Sequence, residues 1–120
     1  MAFTPDPEAT LQRYLDAWNA ADPDARWSHV HAACAESVVL LDPDAEGPVQ
    51  GRAAVAAHTD PAHQRRGGRL EAAGPVDLVL GTARLPVRWV GGGGARTGLV
   101  VGTFDADVRL SWVVHFVDAA

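Results

Sequence analysis

The stretch Ser37-Val38-Val39-Leu40-Leu41-Asp42-Pro43 decides the fold that this sequence predicts. Its β-branched and aliphatic residues form a run that is typical of a strand buried on both faces. Pro43 lacks a backbone donor and restricts Asp42 to extended conformations, so we expect the strand to cover 37–42 and to end there. A carboxylate is thereby placed at the end of a hydrophobic strand, which makes Asp42 the first candidate for a catalytic residue.

Two helices are predicted before this strand. Asp6-Pro7 and Asp22-Pro23 each place an N-cap acid before a proline at the first helical position. The first helix is expected at about 7–20 and the second begins at Pro23, with so short a link that the two must be neighbours. Their apolar faces have helical spacing and consist of Leu11, Tyr14, Leu15 and Trp18 in the first helix and Trp27, Val30, His31 and Cys34 in the second.

One more helix and a series of strands are predicted after the strand. The segment 43–51 contains acids, prolines and glycines and is expected to be a loop. A helix at about 52–63 would have Val55 and His58 on one face, and Arg65 and Arg66 would follow its end. Strand patterns then cover 70–80 (with a bend at Gly74-Pro75), 82–90, 97–104 and 108–117. Helices followed by antiparallel strands predict an α+β protein with its helices on one face of the sheet, and 1–120 is expected to be one domain.

Alternation in two of these strands predicts which side chains face the core. In 82–90 the apolar set ends at Trp89, opposite Arg84 and Arg88. In 108–117, Trp112 and Phe116 share one face and His115 lies on the other. We therefore expect Trp89, Trp112 and Phe116 to line a core or a pocket, and His115 to face a subunit interface.

Composition excludes several functional classes. A content of 48% hydrophobic and 21% charged residues is that of a globular protein. The net charge of −5 argues against binding to nucleic acid or to an anionic membrane. A lone cysteine, Cys34, allows no internal disulfide, and we identify neither a signal peptide nor an apolar run of about 18 residues that could cross a membrane. These features predict a cytoplasmic protein.

Several segments resemble the NTF2-like superfamily. The resemblance begins in the first helix, at Gln12-Arg13-Tyr14-Leu15-Asp16-Ala17-Trp18-Asn19-Ala20-Ala21-Asp22. It continues through 35–43, Gly51-Arg52-Ala53-Ala54-Val55, Ala83-Arg84-Leu85 and Phe104-Asp105-Ala106-Asp107. The sequence looks most like the SnoaL-like branch, which includes polyketide cyclases, and it is also similar to ketosteroid isomerase. The resemblance implies a cone in which three N-terminal helices pack on a curved, mostly antiparallel sheet around a hydrophobic pocket. It also implies a homodimer formed through the open sheet face.

The resemblance to ketosteroid isomerase assigns roles to two residues and leaves a third role empty. Tyr14 matches the tyrosine that donates to the developing oxyanion, and Asp42 matches the aspartate that moves the proton. That enzyme also needs a protonated aspartic acid on a later strand, in an apolar site that raises its pKa. Leu99 or Val100 stands at that position here, which argues against steroid isomerisation. The limonene epoxide hydrolase branch, which needs an Asp-Arg-Asp set on the later strands, is set aside as well, because Arg96 and Arg109 lack matching inward acids.

The candidate residues each have a structural alternative. Asp42 could instead cap a turn through its own backbone; if it faces apolar surroundings, desolvation is expected to raise its pKa toward that of a general base. Tyr14 and Trp18 could be core residues only. His58 could be a satisfied core histidine or could exchange protons near neutral pH. Arg65, Arg66 and Arg69 could form a solvated rim or attract an anionic substituent of a ligand.

Two functional hypotheses follow. The first is a cofactor-free proton-transfer enzyme, namely a cyclase, isomerase or dehydratase, that holds a small apolar or cyclic metabolite in the cone, with Asp42 as base and Tyr14 or His58 as donor. Its ligand-binding residues would be Trp18, Val55, Trp89, Trp112 and Phe116. The second is a non-catalytic ligand-binding, interaction or accessory domain. Neither hypothesis needs a metal, because the histidine spacings suit no metal site, and a buried hydrophobic role is expected for Cys34.

Overall fold

The helices begin where the sequence places their caps. The structure, a computed structural model, describes residues 6–66, 68–91 and 94–118, without the side chains of 61–66 and 94–95. Asp6 accepts the N–H of Ala9 at 2.8 Å and Asp22 accepts the N–H of Ala25 at 2.9 Å, so both acids cap the helices that follow them. The helices are α1 (Pro7–Asn19), α2 (Pro23–Ala33) and α3 (Arg52–Arg66).

The strands of the described residues form one sheet. They are β1 (Cys34–Leu41), β2 (Val49–Gln50), β3 (Arg69–Ala72), β4 (Asp77–Val79), β5 (Thr82–Gly91), β6 (Gly94–Phe104) and β7 (Leu110–Val117). Their order is β2-β1-β7-β6-β5-β3, with β4 also paired to β5. All pairs are antiparallel except β1 with β7, which run parallel. The predicted α+β architecture, three helices on a mostly antiparallel sheet, is confirmed.

The first strand starts earlier than the sequence pattern predicts. It begins at Cys34 instead of Ser37, so Cys34 is a buried strand residue and not part of the apolar face of α2. Trp27 and His31 were predicted on that face as well, but both are exposed and their rings contact each other at the surface. Among the predicted members of the helical face, only Val30 is a buried helical residue, because α2 is short and one side of it faces solvent.

A bulge in β7 reverses the predicted faces of that strand. Thr103 of β6 pairs with Trp112, whereas the next residue, Phe104, pairs with Leu110, so Ser111 is an extra residue. An extra residue shifts the alternation of side chains by one position. His115 is consequently buried at 3% exposure, while Trp112 and Phe116 are half exposed on the outer face. The prediction that Trp112 and Phe116 face inward and His115 faces an interface is wrong.

Polar side chains fix α1 against the sheet. The Asn19 amide accepts the N–H of Leu70 at 2.8 Å and donates to its carbonyl at 2.7 Å, which ties the end of α1 to β3. Near the other end, the Thr10 hydroxyl donates to the Val108 carbonyl at 2.8 Å. The face of α1 that carries Tyr14 and Trp18 is therefore held over the sheet, and both side chains are buried.

Among the described residues, no helix covers the other side of the sheet, where Trp112 and Phe116 are exposed. Its central part is apolar, since Leu99 pairs with Phe116 and Val101 with Val114 across β6 and β7, and Trp112 lies two residues before Val114. Among the described helices, none is long and apolar enough to span a membrane.

Candidate functional site

Asp42 lies just after β1 with its side chain fully buried. One carboxylate oxygen, Oδ1, accepts the backbone N–H of Asp44 at 3.0 Å, and the Asp42 carbonyl accepts the N–H of Ala45. The other oxygen, Oδ2, lies 3.0 Å from Nε2 of His58. Asp42 therefore caps the turn after β1 through Oδ1, and its other oxygen is paired with His58 inside the protein.

His58 reaches Asp42 from α3. This helix begins at Arg52, directly after the left-handed Gly51, whose N–H is bonded to the Val38 carbonyl of β1. The contact between Gly51 and Val38 fixes the start of α3 beside β1, so that a side chain two turns along the helix meets the end of the strand. The His58 side chain retains 13% exposure while that of Asp42 has none, so His58 is the accessible member of the pair.

Tyr14 pairs with a histidine that the sequence assigned elsewhere. Its hydroxyl lies 2.7 Å from Nε2 of His115, and both residues are buried. Tyr14 comes from α1 and His115 from β7, so this hydrogen bond crosses the interior from the helix layer to the sheet. The Tyr14 hydroxyl is therefore within the core and hydrogen-bonded there.

Trp18 lies between the two polar pairs. Its ring centroid is 5.0 Å from that of His115, at a tilt of 35°, and 6.1 Å from that of His58, edge to face. Trp89, which comes from β5, also packs near His115, with its ring centroid 6.4 Å from that of the imidazole. The interior therefore joins a carboxylate, two imidazoles, a phenol and two indoles in one connected cluster, which we call the interior cluster: Tyr14, Trp18, Asp42, His58, Trp89 and His115.

Most of the residues predicted from the sequence are brought together in this interior. Tyr14, Trp18, Asp42, His58 and Trp89 belong to the interior cluster, and Val55 is fully buried on α3. Trp112 and Phe116 lie on the outer face, which removes them from the set that could line the interior. The side chains of Arg65 and Arg66 fall outside the described part of the structure.

His115 is the residue that sequence reasoning missed. Strict alternation of side chains from Leu110 places His115 on the outer face of the sheet. The identity of Ser111 does not indicate a β-bulge. The sequence contained one chemical signal. Both faces of this strand are largely apolar, so its histidine needs a hydrogen-bond partner inside the protein.

Two grooves open elsewhere on the described surface. One, of about 820 Å³, lies between the start of α1, the end of α2 and the turn before β7, and includes Arg13 and Arg109. The other, of about 540 Å³, lies beside the β4–β5 hairpin. Neither is lined by Asp42, Tyr14 or His58.

The single cysteine, Cys34, has a buried thiol of low reactivity. Burial raises the pKa of the Cys34 thiol to about 12, against a smaller opposing effect of the Arg52 guanidinium. Arg52 donates from Nε to the Cys34 carbonyl at 2.9 Å. The thiol therefore stays protonated at neutral pH and is not a nucleophile.

Comparison with known proteins gives structural relatives. No family model and no curated protein sequence matches the chain. A candidate isomerase of the SnoaL-like family from Agrobacterium tumefaciens strain C58 is 30% identical, with a TM-score of 0.82 over 93% of this chain and 97% of that one. A candidate ketosteroid isomerase from Kribbella flavida is 22% identical, with a TM-score of 0.72 over 95% of this chain and 78% of that one. A candidate polyketide cyclase from Sinorhizobium meliloti is 18% identical, with a TM-score of 0.67 over 89% of this chain and 93% of that one.

These matches carry different weight. The Kribbella and Sinorhizobium proteins share the fold at low identity. The Agrobacterium protein matches over nearly its whole length at an identity that shows the family. Together with the helix–strand order and the sheet described above, this match shows that the chain belongs to the SnoaL-like family of the NTF2-like superfamily.

Proposed function

We propose that the protein is a cofactor-free proton-transfer enzyme acting next to the carbonyl of a small, largely apolar, cyclic or aromatic metabolite. The observation that carries this proposal is the Asp42–His58 pair, in which a fully buried carboxylate lies 3.0 Å from an imidazole that retains some exposure. Isomerisation, cyclisation and dehydration of a carbonyl compound can each begin with removal of such a proton. The structural relatives, a candidate isomerase, a candidate ketosteroid isomerase and a candidate polyketide cyclase, support this class of reaction.

The arrangement favours His58, rather than Asp42, as the base. Both carboxylate oxygens of Asp42 already accept hydrogen bonds, from the Asp44 backbone and from His58. Because Nε2–H of His58 donates to the carboxylate, the neutral imidazole presents the lone pair of Nδ1. A buried carboxylate that orients a histidine is the role of the aspartate in the Ser-His-Asp triad. The sequence-based assignment of Asp42 as the base thus becomes a proposal that Asp42 orients the base.

Tyr14 supplies the second requirement, a donor for the enolate oxygen. When His58 removes a proton from the carbon next to a carbonyl, the electron pair moves to the carbonyl oxygen, which then needs a hydrogen bond. A buried phenol provides it in a water-poor interior, where the interaction is stronger than in water. The proton held on His58 can then return to another carbon, which gives an isomer, or assist the loss of a leaving group.

Deuterium exchange tests this proposal without knowledge of the substrate. We expect the protein to accelerate exchange of the protons next to the carbonyl in at least one of a panel of cyclic and aromatic ketones in D₂O, followed by NMR. His58→Gln should reduce the accelerated rate by about 100-fold or more, the usual contribution of a general base. Asp42→Asn should reduce the rate while leaving the affinity for the same ketone nearly unchanged.

His31→Gln is the matched control, because His31 is an exposed histidine on α2 outside the interior cluster. His31→Gln should accelerate exchange of the ketone protons as much as the wild type does. Equal rates for wild type and His58→Gln would contradict the proposal.

A second candidate function is a non-catalytic binding or interaction domain. The observation that favours it is the uncovered apolar face of the sheet, where the aromatic side chains of Trp112 and Phe116 are 50% and 53% exposed. Exposed aromatic residues in a continuous apolar face mark protein interfaces. We propose that this face forms a homodimer, which is compatible with either function. The exchange experiment separates the two, since an interaction domain would leave the ketone protons unchanged.

A further inference from the structure

We propose that His115 is a positioning residue that decides whether the Tyr14 hydroxyl donates its proton inside the protein or to a ligand. This inference rests on the proposed function in one respect, namely that Tyr14 is the donor to a ligand oxygen. The juxtaposition itself does not depend on that function, because it consists of a hydrogen bond of 2.7 Å between two buried side chains.

The two partners allow two arrangements of the shared hydrogen. In the first, the Tyr14 hydroxyl donates to the lone pair of His115 Nε2. In the second, Nε2 carries the hydrogen and donates to the Tyr14 oxygen. A hydroxyl has a single proton, so only the second arrangement leaves the proton of Tyr14 available to a third atom.

A ligand with an acceptor oxygen would therefore select the second arrangement. The enolate oxygen binds the Tyr14 proton, and His115 stabilises the partial negative charge that develops on the phenol oxygen. Tyr14 and His115 would then act as one donor unit made of two residues. In this unit the polar partner of Tyr14 comes from β7.

The surroundings of His115 hold its ring in place. Trp18 packs against it at a centroid separation of 5.0 Å and Trp89 at 6.4 Å, so rotation of the imidazole is restricted by two indoles. Two further ionisable groups are connected to this pair by contacts: His58, through the ring of Trp18, and Asp42, through His58. A fixed ring with an aromatic environment suits a residue that acts by hydrogen-bond direction.

Tyrosine absorbance tests the pair directly, because Tyr14 is the only tyrosine in the chain. The absorbance of tyrosinate near 295 nm follows the ionisation of this one residue as the pH rises. In the wild type, His115 can donate to the phenolate and stabilise it. His115→Phe removes this donor, and we expect the midpoint of Tyr14 ionisation to rise by about one pH unit or more, a tenfold change in the equilibrium constant.

Two further variants separate positioning from folding. His115→Gln keeps an N–H donor and should return the midpoint part of the way toward the wild-type value, whereas His31→Phe should leave it unchanged. Circular dichroism on the same samples shows the pH range over which each variant is folded. A midpoint in folded His115→Phe equal to that of the wild type would overturn the proposal.

A comparison of the wild type with Tyr14→Phe covers the case in which His115→Phe does not fold. The ¹⁵N chemical shifts of the histidine ring nitrogens report which nitrogen carries the hydrogen. We expect Tyr14→Phe to change the His115 Nε2 shift and to leave those of His29 and His31 unchanged. Identical His115 shifts in the two proteins would overturn the proposal. Neither measurement uses a ketone, so failure of the proton-transfer proposal and failure of this one are distinguishable.

Discussion

Both oxygens of the Asp42 carboxylate are engaged, one by the turn after β1 and one by His58. Replacing Asp42 with Ala removes both acceptors and leaves a largely buried imidazole without its partner. Because loss of one member of a buried pair is costly, we expect the free energy of unfolding to fall by about 3 kcal/mol.

Urea unfolding followed by tryptophan fluorescence measures this change. Asp42→Asn keeps an oxygen that can accept the Asp44 N–H, so its free energy of unfolding should fall by less. Glu46→Ala, at an exposed position in the same loop, is the control. Unfolding of Asp42→Ala and wild type at the same urea concentration would show that the pair contributes no stability.

Burial of the Cys34 thiol gives a prediction about reactivity. With its pKa raised to about 12, the thiol should not react with a disulfide reagent in the folded protein at pH 8, and should react at once after unfolding in guanidinium chloride. Absorbance of the released thiolate measures both rates. Similar rates in the two states would indicate an accessible cysteine.

The raised pKa of Cys34 also makes the stability of the protein depend on pH. The unfolded thiol ionises near its ordinary pKa of 9.0, whereas the folded thiol stays protonated up to about 12. The unfolded state therefore loses its proton first, and stability should decline as the pH rises from about 9 toward 12. Cys34→Ala should lack this part of the decline, which urea titrations at a series of pH values would measure.

At the scale of the elements, β6 and β7 leave no room for a side chain at Gly98. A Cβ placed there would overlap the backbone carbonyl of Phe116, which cannot move without breaking the β6–β7 pairing. We expect Gly98→Ala to destabilise the protein by about 1–3 kcal/mol, the usual cost of an added methyl group without space.

Gly47→Ala is the matched control, since a Cβ at that loop position meets nothing within 4 Å. Thermal unfolding of both variants tests the contrast. If Gly98→Ala and Gly47→Ala have equal melting temperatures, the packing between β6 and β7 is looser than the structure indicates.

The elements also show what the sequence could and could not predict. The caps at Asp6 and Asp22 and the inward face of β5 follow from local rules, and the structure confirms them. The bulge at Ser111 depends on how β6 pairs with β7, which no pattern within β7 records. The meeting of Asp42 with His58 was out of reach for the same reason: each residue could be nominated, but their contact depends on the tertiary position of α3.

At the scale of the whole molecule, the outer face of the sheet determines the predicted assembly. Replacing Trp112 with Glu places a charge in the centre of the proposed homodimer interface, where it would lose its hydration. We expect Trp112→Glu to be monomeric at concentrations at which the wild type is a dimer, as measured by sedimentation velocity.

The exposed Leu80 at the tip of the β4–β5 hairpin offers a control on a different surface. Leu80→Glu should leave the sedimentation coefficient unchanged. A wild type that sediments as a monomer at all concentrations would exclude the homodimer. It would leave the exchange experiment on His58 unaffected.

The parallel pairing of β1 with β7 governs the order in which the molecule can be assembled. Val39 and its partner Trp112 are separated by about 70 residues, whereas β5, β6 and β7 are joined by short connections. Closing a long loop costs more chain entropy than closing a short one, so the meander should form first and β1 should join it late. During synthesis on the ribosome, the apolar segment 38–41 would then wait with an open edge until the last strand emerges, and it is there that a nascent chain of this protein is most exposed to aggregation.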